Sequence, residues 1–258
     1  MPTDSTLENA VSAALKLGYR FFDTAQIYGN ASAIGRGVLL SDLPRAEIFI
    51  SSKIWTSHRS YDGVMRAFTD IIEQLKTTYL DQLLIHWPAT QGEPMIWQSQ
   101  NAGTWRALED LYEQGAVKVI GVSNFLPHHL VPLLARARIR PMVNQLEIHP
   151  GYPQFAAVNF CFKQNIAVQA WSPLGRGGLT HHPLLIELGE KYGVSPALIA
   201  LRWSLQHGFI PVVKALDAEH MKSNLDAFGL TLEDEDMTRL DTMQQVAFSG
   251  LHPDTVTF

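Results

Sequence analysis

The chain has 258 residues, a mass of 28.8 kDa and a formal net charge of −5, from 20 Lys and Arg against 25 Asp and Glu. This balance argues against nucleic acid as a partner, and a single cysteine, Cys161, excludes an intrachain disulfide and a cysteine-rich metal site. Without a signal-peptide pattern or an apolar run of the roughly 20 residues that span a bilayer, we expect a cytoplasmic, monomeric globular protein that contacts no membrane.

Short apolar runs alternate with amphipathic helical patterns along the whole chain. The first pattern begins with a capping box, Ser5 and Glu8, and stops at Gly18. Predicted strands follow at 19–23, 47–53, 81–87, 118–124, 142–148, 167–173 and 209–215. Predicted helices lie at about 65–77, 104–114, 127–137, 154–164, 183–191, 196–207 and 217–228. Continuously apolar strands separated by helices indicate a parallel sheet covered on both faces.

The choice between an open sheet and a barrel depends on what stands at the strand ends. A doubly wound dinucleotide fold requires Gly-x-Gly-x-x-Gly after a strand, and the run at 175–178 has the wrong spacing. Polar residues instead follow nearly every strand: Asp23, Lys53, His86, Asn124, Gln145, Ser172 and Lys214. A barrel gathers such ends on one face. We therefore predict one α/β domain over residues 1–258, of the (β/α)8 barrel type with seven recognisable strands.

Four of these polar positions suggest carbonyl chemistry. Tyr28 follows Asp23 by five residues, and Lys53 and His86 end later strands. A tyrosine hydroxyl has a pKa of about 10, a nearby ammonium favours its phenolate, and a carboxylate can hold that ammonium in place. A histidine can hydrogen-bond the phenol or a carbonyl. The set suits proton delivery to a carbonyl oxygen while hydride reaches the carbon.

Six segments in register carry a resemblance to a known family: GYRFFDTAQIYGN, IFISSKIW, LDQLLIHWP, VIGVSNF, VNQLEIHP and AWSPLG. They resemble the aldo-keto reductases, in particular the bacterial 2,5-diketo-gluconate reductase-like branch, over about residues 3–253. The resemblance implies a (β/α)8 barrel that binds NADPH, with NADH left open as an alternative, and reduces aldehydes or ketones. It implies Tyr28 as the proton donor, Lys53 and Asp23 as the residues that tune it, and His86 as the residue that orients the carbonyl.

The resemblance also implies the coenzyme and substrate positions. For the nicotinamide, the implied residues are Ser123, Asn124, Gln145 and Trp171. For the phosphates and adenine they are Ser172, Leu174, Gly175, Lys214 with the N-terminus of the helix near Asp217, His220 and Asn224. Ile27, Trp55 and Trp87 would form the apolar walls around a small carbonyl substrate.

The chain departs from the family pattern in two places. It starts at the first helix, so the usual hairpin and first strand are missing, which we interpret as an N-terminal truncation. The phosphate-binding stretch reads Val212-Val213-Lys214-Ala215, where relatives have Ile-Pro-Lys-Ser. His220 replaces the usual arginine, and Ser223 replaces a glutamate. The second departure predicts a preference for NADPH that is smaller than the family norm.

Alternatives stay open beside this hypothesis. The missing strand favours, as second choice, a catalytically impaired nucleotide-binding or regulatory barrel. We expect no metal, because adjacent histidines such as His128 and His129, or His181 and His182, point apart in regular structure. Cys161 is predicted to be a core thiol. Substrate specificity is expected to come from a loop at 89–104 and from the chain after Val246, which is short enough to leave the pocket open.

Overall fold

The computed structural model describes residues 4–89 and 94–258. Over these ranges, strands and helices alternate. The strands are β1 (Phe21–Asp23), β2 (Phe49–Ile54), β3 (Leu80–Ile85), β4 (Val117–Ser123), β5 (Val143–Glu147), β6 (Ala167–Trp171) and β7 (Ile210–Val212). The helices are α1 (Asp4–Lys16), α2 (Ala31–Leu39), α3 (Tyr61–Leu75), α4 (Pro94–Glu113), α5 (Pro127–Leu134), α6 (Phe155–Lys163), α7 (Pro183–Tyr192), α8 (Pro196–Gln206), α9 (Ala218–Leu225) and α10 (Asp234–Asp241). Within the described ranges, no helix is both long and apolar enough to cross a membrane.

The strands follow one another in the sheet in chain order, from β1 to β7. The pairs β1–β2, β2–β3, β3–β4 and β6–β7 are parallel. In register, Asp23 is opposite Ser51 and Lys53 is opposite Leu84. Parallel strands joined by helices in this order have the topology of a (β/α)8-type barrel with seven strands, so the predicted fold class is confirmed.

The chain divides into two compact units. The first contains residues 1–144 and 252–258, and the second contains residues 145–251, so the division falls within β5. The catalytic candidates Asp23, Tyr28, Lys53 and His86 all belong to the first unit. That the whole chain folds as one domain stays a prediction.

In the first unit, one buried carboxylate connects the amino ends of three neighbouring strands, β2, β3 and β4. Asp81, 3% exposed, accepts a hydrogen bond from the backbone N–H of Ile50. It also pairs with Arg45 at 2.8 Å and with Lys118 at 3.0 Å. The opposite, carboxyl ends of these strands are therefore left to carry the functional side chains, as is usual for barrels.

All seven predicted strands are present, but several helices differ from prediction. The α3 helix begins at Tyr61, four residues early, because Ser60 accepts a hydrogen bond from Gly63 N–H as its N-cap. The α5 helix ends at Leu134 rather than 137. The prediction of a loop at 89–104 is wrong, since α4 already begins at Pro94. Residues 90–93 lie outside the described residues, and a role of this stretch in specificity stays a prediction.

Two helices were not predicted at all. The α2 helix contains Gly35 and Gly37, which are poor helix formers, yet both are required by close packing. A Cβ on Gly35 would lie 2.5 Å from the carbonyl oxygen of Leu75, and one on Gly37 would lie 2.7 Å from Cβ of Val11. The α10 helix is mostly charged and has only two apolar residues, Met237 and Leu240. Its buried Asp236 is instead held by Lys191 and by the hydroxyl of Tyr192.

Candidate active site

Tyr28 is presented by a short turn that follows β1. Residues Gln26–Tyr28 form one turn of 3-10 helix, and Tyr28 N–H donates to Ala25 C=O at 2.9 Å. Gly29 then adopts a left-handed conformation, φ +62°, before α2 begins. A side chain is strained at such a φ, so glycine suits this position. The turn leaves the Tyr28 side chain at the carboxyl end of β1, with the residue 39% exposed.

Lys53 and Asp23 form a buried ion pair beneath this turn. The side chain of Lys53 is 1% exposed and that of Asp23 is 7% exposed. The ammonium donates to Asp23 Oδ2 and, at 3.0 Å, to the backbone carbonyl of Thr24. A charge removed from water requires a partner. The adjacent strands β1 and β2 supply that partner, as predicted from the sequence positions.

A chain of buried polar groups behind Asp23 was not predicted. Gln82 Nε2 donates to Ser51 Oγ at 2.9 Å, and Ser51 Oγ donates to Asp23 Oδ1 at 2.9 Å. Both oxygens of the carboxylate therefore accept hydrogen bonds. The signal in the sequence was a pair of small polar residues, Ser51 and Ser52, between the apolar start of β2 and Lys53.

Tyr28 and His86 meet edge to face above the ion pair. Their ring centroids are 5.8 Å apart at an interplanar angle of 86°. Lys53 Nζ lies 5.5 Å from the centroid of the Tyr28 ring. Thus the structure brings together the four residues that the sequence singled out, within one compact unit.

Burial sets the protonation of the two rings. Burial and the Asp23 carboxylate raise the pKa of Tyr28 above its usual range. The lowering of this pKa by Lys53 stays a prediction. Burial and the Lys53 charge lower the pKa of His86 to about 3. At neutral pH the site therefore holds a protonated phenol, which can donate a proton, next to a neutral imidazole.

His86 is also the centre of an aromatic wall. The Trp55 ring meets it edge-on at 5.0 Å, and Trp87 stacks at 6.4 Å. Phe258 contacts both tryptophans, stacked on Trp55 at 5.1 Å and edge-on to Trp87 at 5.4 Å. Phe258 was missed by sequence analysis. Its contacts show that the end of the described chain covers part of this wall, where an open pocket was expected.

Ser123 and Asn124 stand at the carboxyl end of β4, as predicted, and both are buried. The Asn124 side-chain amide donates to the backbone carbonyl of His86 at 3.0 Å and to Ser123 Oγ at 3.2 Å. Asn124 has a positive φ of +64°, a conformation that asparagine tolerates better than most residues. These bonds fix the backbone at His86.

In the second unit, the predicted coenzyme residues lie within β5, at the end of β6 and in a turn. Gln145 was expected at the end of its strand but stands in the middle of β5. Gln145 Nε2 donates to Gln169 Oε1 at 3.0 Å, and Trp171 ends β6. Ser172, with φ +50°, leads into the 3-10 segment Gly175–His181. Arg176 stands exposed in that segment at φ +54°. This cation, not predicted from the sequence, suits a phosphate-bearing ligand together with the glycines around it.

The remaining predicted coenzyme residues of the second unit lie within residues 212–224, here called the phosphate segment. Lys214 is exposed, and the His220 side chain is 82% exposed. The N-terminus of α9 is capped by Asp217, whose carboxylate accepts hydrogen bonds from the backbone N–H groups of Glu219 and His220 at 3.0 and 3.1 Å. The positive charge of Lys214 would attract a phosphate group at this position, whereas the negative charge of the Asp217 carboxylate would repel it. Asn224, the predicted adenine contact, is half-buried in α9.

The histidine pairs differ from expectation. His128 and His129 do not point apart, because both approach Asp254 Oδ1, at 2.9 and 2.8 Å. Their nearest nitrogens and that carboxylate lie within 4.8 Å of one another. The His182 side chain instead accepts from Leu184 N–H as the N-cap of α7. Cys161 is fully buried as a thiol, not in a disulfide, which confirms a core thiol.

The chain is similar in sequence and in structure to known proteins. The profile described as "Aldo/keto reductase family" matches residues 2–245. A glyoxal reductase of Bacillus subtilis is 41% identical over 249 residues, which cover 96% of this chain and 87% of that protein. The aldo-keto reductase MGS-M4, from a deep-sea metagenome of the Medee basin, superposes with a TM-score of 0.93 at 35% identity, over 100% of this chain and 93% of that one.

A third similar structure is a variant of Gox0644 in complex with NADPH, with a TM-score of 0.91 at 35% identity, covering 99% of this chain and 91% of that one. The fold and these matches define an oxidoreductase of the barrel class. The chain belongs to the aldo/keto reductase family.

Proposed function

We propose that the protein is an NAD(P)H-dependent reductase that converts an aldehyde or ketone to the alcohol, with Tyr28 as proton donor. The observation that carries this proposal is the convergence of a protonated phenol, a buried ammonium and a neutral imidazole in one unit. Each group is in the charge state that carbonyl reduction requires of it.

The roles follow from the contacts. When bound, the coenzyme supplies a hydride to the carbonyl carbon. The Tyr28 hydroxyl gives its proton to the carbonyl oxygen as the electron pair of the C=O π bond moves onto that oxygen. The Lys53 ammonium, 5.5 Å from the ring centroid, stabilises the phenolate that remains. Neutral His86 can donate an N–H to the same oxygen, and Asp23 fixes Lys53 in position.

NADPH is the proposed coenzyme. A relative at 35% identity has been solved with NADPH, which supports the assignment. Ser123 and Asn124 in the first unit, and Gln145, Trp171, Ser172, Leu174 and Gly175 in the second, remain the proposed nicotinamide and pyrophosphate contacts. Lys214, His220 and Asn224 remain those for the adenosine phosphate and adenine. Because Asp217 caps α9 beside them, NADH stays an alternative coenzyme.

The proposed substrate is a small carbonyl compound placed against Trp55, Trp87 and Ile27, which is 48% exposed beside Tyr28. Since a relative at 41% identity is named glyoxal reductase, small α-oxoaldehydes such as glyoxal are the first compounds to test. Aromatic aldehydes are the natural second set, because aromatic rings line the wall around His86.

The decisive experiment is Tyr28→Phe. We expect the variant to lose ~10²- to 10⁴-fold in kcat, because only the hydroxyl donates the proton, and to keep its affinity for NADPH. NADPH consumption by absorbance and coenzyme Kd by fluorescence titration measure the two quantities. The matched control is Tyr61→Phe, which removes a hydroxyl bonded to Asp110 outside the site. Activity of Tyr28→Phe within a few-fold of the parent contradicts the proposal. Coenzyme binding without turnover in the parent would indicate a nucleotide-binding barrel instead.

A further inference from the structure

Residues 252–258, here called the tail segment, belong to the same compact unit as residues 4–144. The segment has its own turn, in which the N–H groups of Thr255 and Val256 both donate to the carbonyl of His252. Near its middle, Asp254 meets the first turn of α5. Oδ1 of Asp254 lies 2.9 Å from His128 Nε2 and 2.8 Å from His129 Nε2.

The hydrogen bonds of His129 determine which of its nitrogens carries the proton. His129 is 1% exposed, and its Nδ1 accepts the backbone N–H of Leu126 at 3.0 Å. Burial is the main cause that lowers its pKa to about 4, so the ring is neutral at pH 7. A neutral ring that accepts at Nδ1 carries its proton on Nε2. His129 therefore donates a hydrogen bond to Asp254, and its Nε2 has no free lone pair for a metal ion.

The other end of the tail segment reaches the aromatic wall. Phe258 stacks on Trp55 at 5.1 Å with an interplanar angle of 23°, and meets Trp87 edge-on at 5.4 Å. Trp55 in turn packs against the edge of His86 at 5.0 Å. Phe258 remains 45% exposed. Its partial burial gives only part of the stabilisation of a buried phenylalanine, while ordering each residue of the segment has an entropic cost.

We propose that Asp254, held by His128 and His129, is a positioning residue that keeps Phe258 against Trp55 and Trp87. Phe258 thereby completes the apolar wall for carbonyl substrates that carry an aromatic or bulky apolar substituent. This inference rests on the proposed function, since it assigns the wall beside His86 to the substrate. It extends that function by naming the substrate class and a residue outside the site that selects it.

The first test compares Asp254→Ala with Phe258→Ala. We expect each variant to raise KM for an aromatic aldehyde such as benzaldehyde by about tenfold, with kcat within about twofold, because a contact with the substituent is lost and the reacting groups stay in place. KM for glyoxal, which has no such substituent, is expected to stay unchanged. The double variant should be no worse than either single variant, because both changes remove the same contact.

A second measurement needs no turnover. Phe258 packs on two of the six tryptophans, so both variants are expected to shift the intrinsic fluorescence emission in the same direction and by similar amounts. The control Asp42→Ala removes an exposed aspartate of the same unit and should change nothing. If Asp254→Ala does not fold, Asp254→Asn tests the same point, because its amide oxygen can still accept one hydrogen bond; it should show a smaller KM effect.

The outcomes separate the two proposals. Should the parent reduce no carbonyl compound, the proposed function fails, while the fluorescence comparison still decides whether Asp254 positions Phe258. Unchanged emission in Asp254→Ala overturns the inference. So does an equal rise in KM for glyoxal and benzaldehyde, or an additive double variant, since each would mean that Asp254 acts on general stability and not through Phe258.

Discussion

Asp23, Tyr28, Lys53 and His86 are here called the catalytic group, for their proposed role. Both this group and the phosphate segment contain charged side chains, but those of the catalytic group are buried and those of the phosphate segment are exposed. In the catalytic group the Lys53 side chain is 1% exposed and is bonded to a carboxylate and a carbonyl. In the phosphate segment the side chains of Asp217 and His220 are 63% and 82% exposed. Charges interact strongly where water is excluded and weakly where water and salt screen them.

This difference in burial predicts which mutations have the larger effects on stability and activity. A change in the catalytic group leaves a buried partner without its counter-charge and is expected to affect both folding and chemistry. A change in the phosphate segment alters a screened interaction, so it should shift ligand preference by a modest factor and leave folding intact. The following experiments break or sharpen the contrast, in order of decreasing expected effect.

Lys53→Met should have the largest effect. It leaves the Asp23 carboxylate buried without its ammonium, which typically costs about 3–5 kcal/mol of the free energy of unfolding. It should also lower kcat by at least about 100-fold, because the phenolate left by Tyr28 loses its stabilising charge. Denaturant unfolding and steady-state kinetics measure the two losses.

The double variant Asp23→Asn and Lys53→Met is the matched control for Lys53→Met. We expect it to recover much of the stability, because no buried charge is left unpaired, and to recover none of the activity. If Lys53→Met alone unfolds like the parent, the buried ion pair is not what separates the two regions.

His86 should make stability fall on acidification. Its pKa in the folded protein is lowered to about 3, against a reference value of 6.5, so the unfolded chain takes up a proton that the folded chain does not. Stability is therefore complete above about pH 6.5 and decreases toward pH 3, by up to about 1.4 kcal/mol per pH unit from this group. Thermal melts over this range should show a shallower decline for His86→Gln. Exposed His181→Gln should reproduce the parental slope.

Asp217→Asn should have the smallest effect. Asparagine keeps the cap on α9 and removes a negative charge beside the predicted adenosine phosphate. We expect NADPH to bind about two- to fivefold tighter, less so in high salt, with NADH unchanged. Fluorescence titration of both coenzymes measures this, and Asp226→Asn, another exposed acid of the second unit, is the control. A gain shared equally by NADH would show that Asp217 acts on something other than the phosphate.

His220→Arg in the Asp217→Asn background sharpens the same point. Arginine is permanently charged and can bind phosphate through two parallel N–H groups, a geometry that histidine does not offer. The pair should therefore increase the preference for NADPH over NADH further than Asp217→Asn alone. An unchanged preference would show that the side chain at position 220 does not reach the phosphate.

The sequence predicts those elements of the fold that depend on local patterns, and it does not predict those that depend on contacts with distant residues. Strands such as β3 were found because successive apolar residues, here Leu83, Leu84 and Ile85, indicate a strand that is buried on both faces. The α2 helix was missed because it contains Gly35, a poor helix former that is required there by the close approach of Leu75. The α10 helix was missed because Asp236 is held by residues that lie far away in the chain.

The proposed catalytic residues could be predicted because each lies in a recognisable segment at or shortly after the end of a strand. Tyr28, for example, lies in the turn that follows β1. Their supporting residues could not be predicted. Ser51 and Gln82 act through hydrogen bonds that depend on the register of three strands, and Asp254 depends on a turn that returns to α5. The N-cap that Asp217 forms on α9 is a local pattern that the sequence could have revealed. The prediction considered the positive charge of Lys214 and not the negative charge of Asp217.

The tail segment has a consequence for how the protein is made. Strand pairings from β1 to β4 join neighbours in the chain and can form early, while Asp254 and His128 are 126 positions apart. Contacts between distant residues form slowly, because closing the intervening loop costs entropy first. On a ribosome, the side chains of Tyr28 and His86 can therefore come together before Asp254, the residue proposed to influence substrate selection, has been synthesised.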